Sequence, residues 1–310
     1  MRFFAFIFLF YFCLILVAYG GINPQADAMV KQGNLLLQAG KYEEAEKKFE
    51  QAYRMQSDNM DALFFWAFTN YKLGKLREAE EKYKRIIGYI PDYPEAHYYL
   101  ALVYNAENKP AQAIEELERS IQYDPKFVKG YYTLGVIYYQ QKNLTKAIEI
   151  WKKGFSQNCN EHSLLSSISQ AYYNRGVLTE AENWQKKALT IAGKNPEYRF
   201  NLGWIYWREN KITEAIKELE NCRKLSKPTT TINIEANITL ALIKGNGLKE
   251  ALLLADKIDE KERDALWFYL KGALIEKLGN REEATNYYKQ ALEIDPNFID
   301  ASEALHKKSN

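Results

Sequence analysis

His97, His162 and His306 are the only histidines in the chain, and their wide separation gives no metal-ligand spacing. No serine or cysteine stands in a nucleophile-elbow context. Gly245-Asn246-Gly247 has glycines of the kind a phosphate loop uses, but no strand pattern precedes it and no P-loop lysine follows. It reads instead as a turn between helices. Acidic pairs are plentiful, yet in Glu78-Ala79-Glu80-Glu81-Lys82-Tyr83-Lys84-Arg85 both signs interleave at helical spacing, Glu78 with Lys82 and Glu81 with Arg85. That is the pattern of a solvated helix face. With 42 basic and 40 acidic residues and a net charge of +2, no basic stripe is available for nucleic acid. The residues therefore predict no catalytic, metal, cofactor or nucleic-acid site.

What the composition does supply is aromatic surface, with 23 Tyr, 15 Phe and 6 Trp. Such rings bury much area at small entropic cost and commonly anchor protein partners. Their use depends on the elements that carry them, and those elements repeat. Ala45, Ala79, Ala113, Ala147, Ala181 and Ala215 stand in strict register along the chain. A fixed period in this range marks a stacked array of supersecondary units. An array of this kind offers a long surface that repeats a contact, with no natural place for one catalytic cleft.

Each alanine sits in the same frame. Gly33 and Leu36 precede Gly40 and Ala45, followed by Phe49 and Ala52; Ala67 precedes Gly74, Ala79, Tyr83, Ile86 and Pro91. Leu100-Ala101, Tyr104, Ala113, Leu117, Ser120 and Pro125 continue the pattern, then Leu134-Gly135, Tyr138, Ala147, Trp151 and Gly154, then Leu202-Gly203, Tyr206, Ala215, Leu219 and Cys222. Apolar spacing gives one buried face on each of two helices per unit. Gly or Ala in the first helix and Ala early in the second let the two backbones approach. Gly40, Gly74, Asn108, Gly176 and Asn210 are placed between the helices, and these types tolerate the left-handed conformation that ends a helix. Pro110 suits the start of a second helix, and Pro91 and Pro125 mark the ends of units. Gln185 replaces the large apolar residue of the fifth unit, with Trp184 one place early, which predicts a local adjustment of helix phase.

This frame resembles the tetratricopeptide repeat. The resemblance implies an all-α fold, a right-handed superhelical α-solenoid of about eight helix-turn-helix repeats plus a C-terminal capping helix. Six repeats in register occupy 26–228. Ser226 to Thr231 reads as a loop, and 229–296 holds two more repeats, the first degenerate. Residues 297–310, apolar at Phe298, Ile299, Ala301 and Leu305, cap the last apolar face. In this family the first helices line a concave groove. Carried over by position, the lining is Phe64, Phe68 and Tyr71, Tyr98, Tyr132 and Tyr139, Tyr173, and Phe200, Trp204 and Trp207, with Tyr269 further along. These rings either face a partner or pack on neighbouring first helices; Tyr104, Tyr138, Tyr172 and Tyr206 are assigned to the core. The family's clamp for a terminal carboxylate is missing, because Val30, Phe65, Glu95 and Tyr99 fill the places around Asn34. Cys222 takes a small-residue slot and is expected to be packed. Cys159 is almost two repeats away, too far for a disulfide.

Phe3 to Tyr19 is an apolar run preceded by Arg2, and Ala18-Tyr19-Gly20 supplies small residues at the positions a signal peptidase reads. As a helix the run would span roughly 25 Å, against a hydrocarbon core of about 30 Å. Residues 1–20 thus read as a cleaved secretory signal or an uncleaved membrane anchor. Both put the repeats outside the cytoplasm, in a periplasm or tethered to the membrane, or in the lumen or secreted if the host is eukaryotic. Phe12 and the continuing run argue against lipidation of Cys13. The expectation is a monomeric, non-catalytic scaffold that binds one or more proteins or peptides. A self-assembling envelope component and a co-chaperone for exported polypeptides remain as alternatives.

Overall fold

A computed structural model of the chain describes residues 23–157 and 161–307. The run Phe3–Tyr19, Cys13 and Cys159 lie outside the described residues. Among the described residues there is no strand, and no helix is long and apolar enough to cross a membrane. The helices are α1 (Pro24–Gln38), α2 (Tyr42–Met55), α3 (Met60–Lys72), α4 (Leu76–Tyr89), α5 (Pro94–Ala106), α6 (Pro110–Tyr123) and α7 (Val128–Gln140). They continue with α8 (Leu144–Gln157), α9 (His162–Asn174), α10 (Leu178–Ile191), α11 (Pro196–Arg208), α12 (Ile212–Leu225), α13 (Thr231–Lys244) and α14 (Leu248–Ala255). A 3-10 turn at Glu260–Glu262 leads to α15 (Ala265–Lys277), α16 (Arg281–Ile294) and α17 (Ile299–His306). Consecutive helices pair, and the pairs stack, as in an α-solenoid. The chain divides into two compact units, 1–130 and 131–310.

The two helices of a repeat differ because they are buried differently. In α2 only Ala45, Phe49, Ala52 and Tyr53 are buried, a single stripe at helical spacing. In α5 the buried residues Ala96, His97, Leu100, Ala101, Val103 and Tyr104 cover two faces, since a first helix packs against second helices on both sides. Where the helices of one repeat cross, a small residue faces a large one sixteen positions later. A Cβ added at Gly33 would lie 2.5 Å from the Phe49 ring, at Gly135 2.1 Å from Trp151, at Gly203 2.9 Å from Leu219 and at Gly272 2.8 Å from Tyr288. Phe49, Trp151, Leu219 and Tyr288 are buried there, each contributing about 1.5–3 kcal/mol relative to exposure. Ion pairs add to the stacking of repeats: Glu46 meets Lys75 at 2.7 Å and Glu182 meets Lys211 at 2.6 Å.

The turn inside each repeat uses a left-handed residue. Gly40, Gly74, Asn108, Gly176 and Asn210 have φ of 72°, 73°, 58°, 75° and 60°. Lys142 holds the same place in the fourth repeat at φ 62°, and its residue type gives no warning of that. Gly245 and Gly247, at φ 68° and 64°, form the turn between α13 and α14. The expected phase adjustment at Gln185 does not occur. Ala181, Gln185 and Ala188 are buried along α10 in the usual stripe. The polar side chain is accepted because its Nε2 donates to the Tyr198 carbonyl at 3.1 Å and its Oε1 accepts from Ser166. Cys222 is free and fully buried, and burial pushes its thiol up to about 11.

Candidate partner-binding surfaces

In the first unit, α3 carries Phe64, Phe68 and Tyr71 and α5 carries Tyr98, all half-buried. Phe64, Phe68 and Tyr98 gather around Tyr99, a residue outside the family-position lining. Tyr99 receives Phe64 and Phe68 edge-on, each with centroids 5.4 Å apart, and stacks on Tyr83 at 5.9 Å. Tyr98 meets Tyr99 at 5.1 Å and Phe127 at 5.2 Å. Edge-to-face geometry of this kind holds rings rigid without hiding them. Lys72 lies over Phe68 and Tyr71, 5.4 and 5.9 Å from their centroids, and adds a cation at one end of the row. Burial, then the nearby Tyr98, raises the pKa of Tyr71, so its hydroxyl is a neutral hydrogen-bonding group. The doublet Tyr98-Tyr99 was the available signal for Tyr99, since helix neighbours on a two-sided helix can both reach the inner face.

The second unit treats its assigned residues differently. Tyr132 is 42% exposed and Trp207 is half-buried. Tyr173, Phe200 and Trp204, only 2%, 2% and 6% exposed, do not line an open groove. Their inner faces are covered by the C-terminal segment of the same unit. Tyr173 donates its hydroxyl to Asp300 Oδ2 at 2.6 Å, and Trp204 Nε1 donates to the Tyr173 hydroxyl at 2.6 Å and to Asp300 Oδ2 at 3.3 Å. Arg208 pairs with Asp300 Oδ1 at 3.3 Å and with Glu303 at 2.6 Å. Tyr139 donates to Asp295 Oδ2 at 3.2 Å and accepts from Asn174, while Asn297 Nδ2 donates to the Tyr139 carbonyl at 2.7 Å. Phe200 stacks on Trp204 at 5.9 Å, and Trp207 and Tyr269 meet Trp204 edge-on. Burial raises the pKa of Asp300, with the Tyr173 hydrogen bond and the Arg208 charge pulling the other way.

The histidines are structural where they are buried. His97 Nδ1 pairs with Glu116 at 2.6 Å and its Nε2 meets the Pro91 carbonyl at 2.9 Å. His162 meets the Tyr198 hydroxyl at 2.8 Å. Among the described residues no group of three His, Cys, Asp or Glu could hold a metal ion.

Residues 36–103, 128–158, 163–194, 196–228 and 265–298 match the tetratricopeptide repeat, and 103–142 match the TPR repeat. The chain belongs to the tetratricopeptide repeat family. The one long gap between matches, from 228 to 265, holds the short α14 and the 3-10 turn, where the repeat is degenerate. Over 127 residues this tetratricopeptide protein is 28% identical to the TPR repeat-containing protein MJ1428 of Methanocaldococcus jannaschii, covering 38% of this chain and 22% of that protein. Over 58 residues it is 33% identical to the photosystem I assembly protein Ycf3 of Prochlorococcus marinus, covering 19% of this chain and 34% of that one. The chain thus spans well under two thirds of the length of these curated relatives. A crystal structure of a tetratricopeptide repeat protein from Parabacteroides merdae superposes with a TM-score of 0.58 at 15% identity, over 92% of this chain and 98% of that one, a likeness of fold.

Proposed function

We propose that this tetratricopeptide protein is a non-catalytic, monomeric scaffold that holds an extended or helical apolar segment of a partner on the aromatic row of its first unit. The observation that carries this reading is that Phe64, Phe68 and Tyr98 are half-exposed and packed edge-on around Tyr99, with Tyr71 half-exposed beside Lys72, whereas Tyr173, Phe200 and Trp204 of the second unit are buried under its own C-terminal segment. Half-exposed rings fixed by neighbours bind with little loss of side-chain freedom. We place the repeats outside the cytoplasm on the strength of the Phe3–Tyr19 run. A photo-crosslinking amino acid at position 71 tests the surface. It should capture one recurrent protein adduct that the same group at position 81, on the exposed face of α4, does not. Equal capture at both positions would refute the assignment.

A further inference from the structure

The C-terminal segment of the second unit is held on the inner face of its repeats by a few polar grips. Tyr173, Trp204 and Arg208 converge on the carboxylate of Asp300, and Tyr139 holds Asp295 and Asn297. Between the grips, Phe298 packs against Tyr269 at 5.5 Å and Ile299 packs on the core that contains Tyr173 and Trp204. The helix that follows, α17, has 8 residues, too few to persist away from its dock. By contrast α16 is fixed on α15 through Ala284, Tyr288 and Ala291, and Tyr288 fills the space over Gly272. Release of the segment from Asp295 onward would uncover the side of α16 on which Phe298 and Ala301 pack and break the hydrogen bonds from Arg281 to the Ala304 and Lys307 carbonyls, but the α15–α16 contact through Gly272 and Tyr288 lies outside it.

The fit is also incomplete. A cavity of about 340 Å³ remains between Tyr139, Tyr173, Phe200 and Trp204 on one side and Asp295 and Phe298 on the other. A cleft of about 840 Å³ runs between Trp207, Arg208 and the α17 residues Glu303 and His306. We propose that this inner face is a docking surface for an acidic amphipathic partner segment, and that Asp295–His306 is its resting occupant. The incoming segment must bring an aromatic side chain for the Phe298 site and, two residues later, a carboxylate for Tyr173, Trp204 and Arg208. Its carboxylate takes the place of Asp300, and its helix takes the place of α17. The resting contact has the advantage of being intramolecular, so a free segment of the same chemistry competes poorly until the internal one is loosened.

The proposal concerns the second unit only, so it and the first unit's aromatic row stand or fall separately. The test uses the full chain and a fluorescent synthetic peptide of residues 293–307 as the probe, read by anisotropy. Asp300→Asn in the protein removes the internal carboxylate and leaves Tyr173, Trp204 and Arg208 intact. The peptide should bind this variant about tenfold or more tighter than the wild type. The same peptide carrying Asp300→Asn should lose that gain. Hydrogen exchange across 295–307 reports whether the segment has loosened, and a Phe298→Ala, Asp300→Asn double variant loosens it further. Loosening without tighter peptide binding would overturn the proposal. So would a segment that stays protected in both variants, or a loss of helicity across the whole unit, since either makes it a fixed part of the core.

Discussion

Gly135 and Gly88 both lie inside helices, α7 and α4, and the same change to alanine should move stability in opposite directions. A Cβ at Gly135 would stand 2.1, 2.4 and 2.5 Å from three indole atoms of Trp151. Trp151 is buried, and its Nε1 donates to the Tyr132 carbonyl at 3.0 Å, so the ring cannot retreat without weakening that bond. Overpacking of this kind costs about 1–3 kcal/mol, and a lost hydrogen bond adds about 1 kcal/mol. Replacing a helical glycine by alanine returns about 1 kcal/mol. The net loss for Gly135→Ala is about 1–3 kcal/mol. At Gly88 nothing lies within 4 Å of the added carbon, so Gly88→Ala should gain about 0.5–1 kcal/mol. Adding Trp151→Leu to Gly135→Ala recreates the Ala101–Leu117 pair of the third repeat and should recover part of the loss. Urea unfolding followed by circular dichroism gives the ordering, and hydrogen exchange across 128–157 localises it. A Gly135→Ala protein as stable as wild type would refute the idea that crossing residues are matched across the helix pair.

Lys142 holds a left-handed turn in a place where other repeats use Gly or Asn. Lys142→Asn should stabilise the fold by up to about 1 kcal/mol and raise the unfolding midpoint accordingly, and a lowered midpoint would show that the lysine side chain has an unassigned role. Glu235 is buried, and one of its carboxyl oxygens has no hydrogen-bond partner. Burial, with Asp264 and Glu197 adding to it, holds its pKa well above the ordinary range. As pH rises past the ordinary carboxylate range, the unfolded chain releases this proton while the native one keeps it, so stability falls until the native group ionises as well. Glu235→Gln removes that term. The variant should match wild type more closely near pH 4 and exceed it by a growing margin toward pH 8, and a gap independent of pH would refute the assignment.

The repeat pitch was legible because it rests on local, periodic demands: a small residue at each crossing, a large one facing it, and a left-handed residue at each turn. Lys142 shows the limit of that reading, since spacing imposed the backbone conformation on a residue type that does not advertise it. Gln185 shows another, because a buried amide with two partners fills an apolar slot without shifting the helix. Closure of the second unit was not legible. Tyr139, Tyr173 and Trp204 meet residues 156, 127 and 96 positions away in the chain, and periodicity carries no information about such contacts. The one available hint was Asp300, a carboxylate set between Ile299 and Ala301 on the apolar side of the capping helix. In the first unit the aromatic row was legible by family position, but Tyr99, the ring that organises it, was read only as a residue that breaks a carboxylate clamp.

Partner binding by the first unit's aromatic row can be read in a single affinity measurement. Tyr71 and Tyr98 are the residues to change, one on α3 and one on α5; Tyr98 also meets Tyr99 and Phe127 edge-on, so the single Tyr71→Ala variant serves as the control for folding. With the partner captured at position 71 in hand, calorimetric titration of a Tyr71→Ala, Tyr98→Ala protein should show affinity reduced by about thirtyfold or more, as truncation of aromatic anchors commonly does. Helicity and melting should stay near wild type. A folded double variant that binds as tightly as wild type would show that the partner sits elsewhere on the protein.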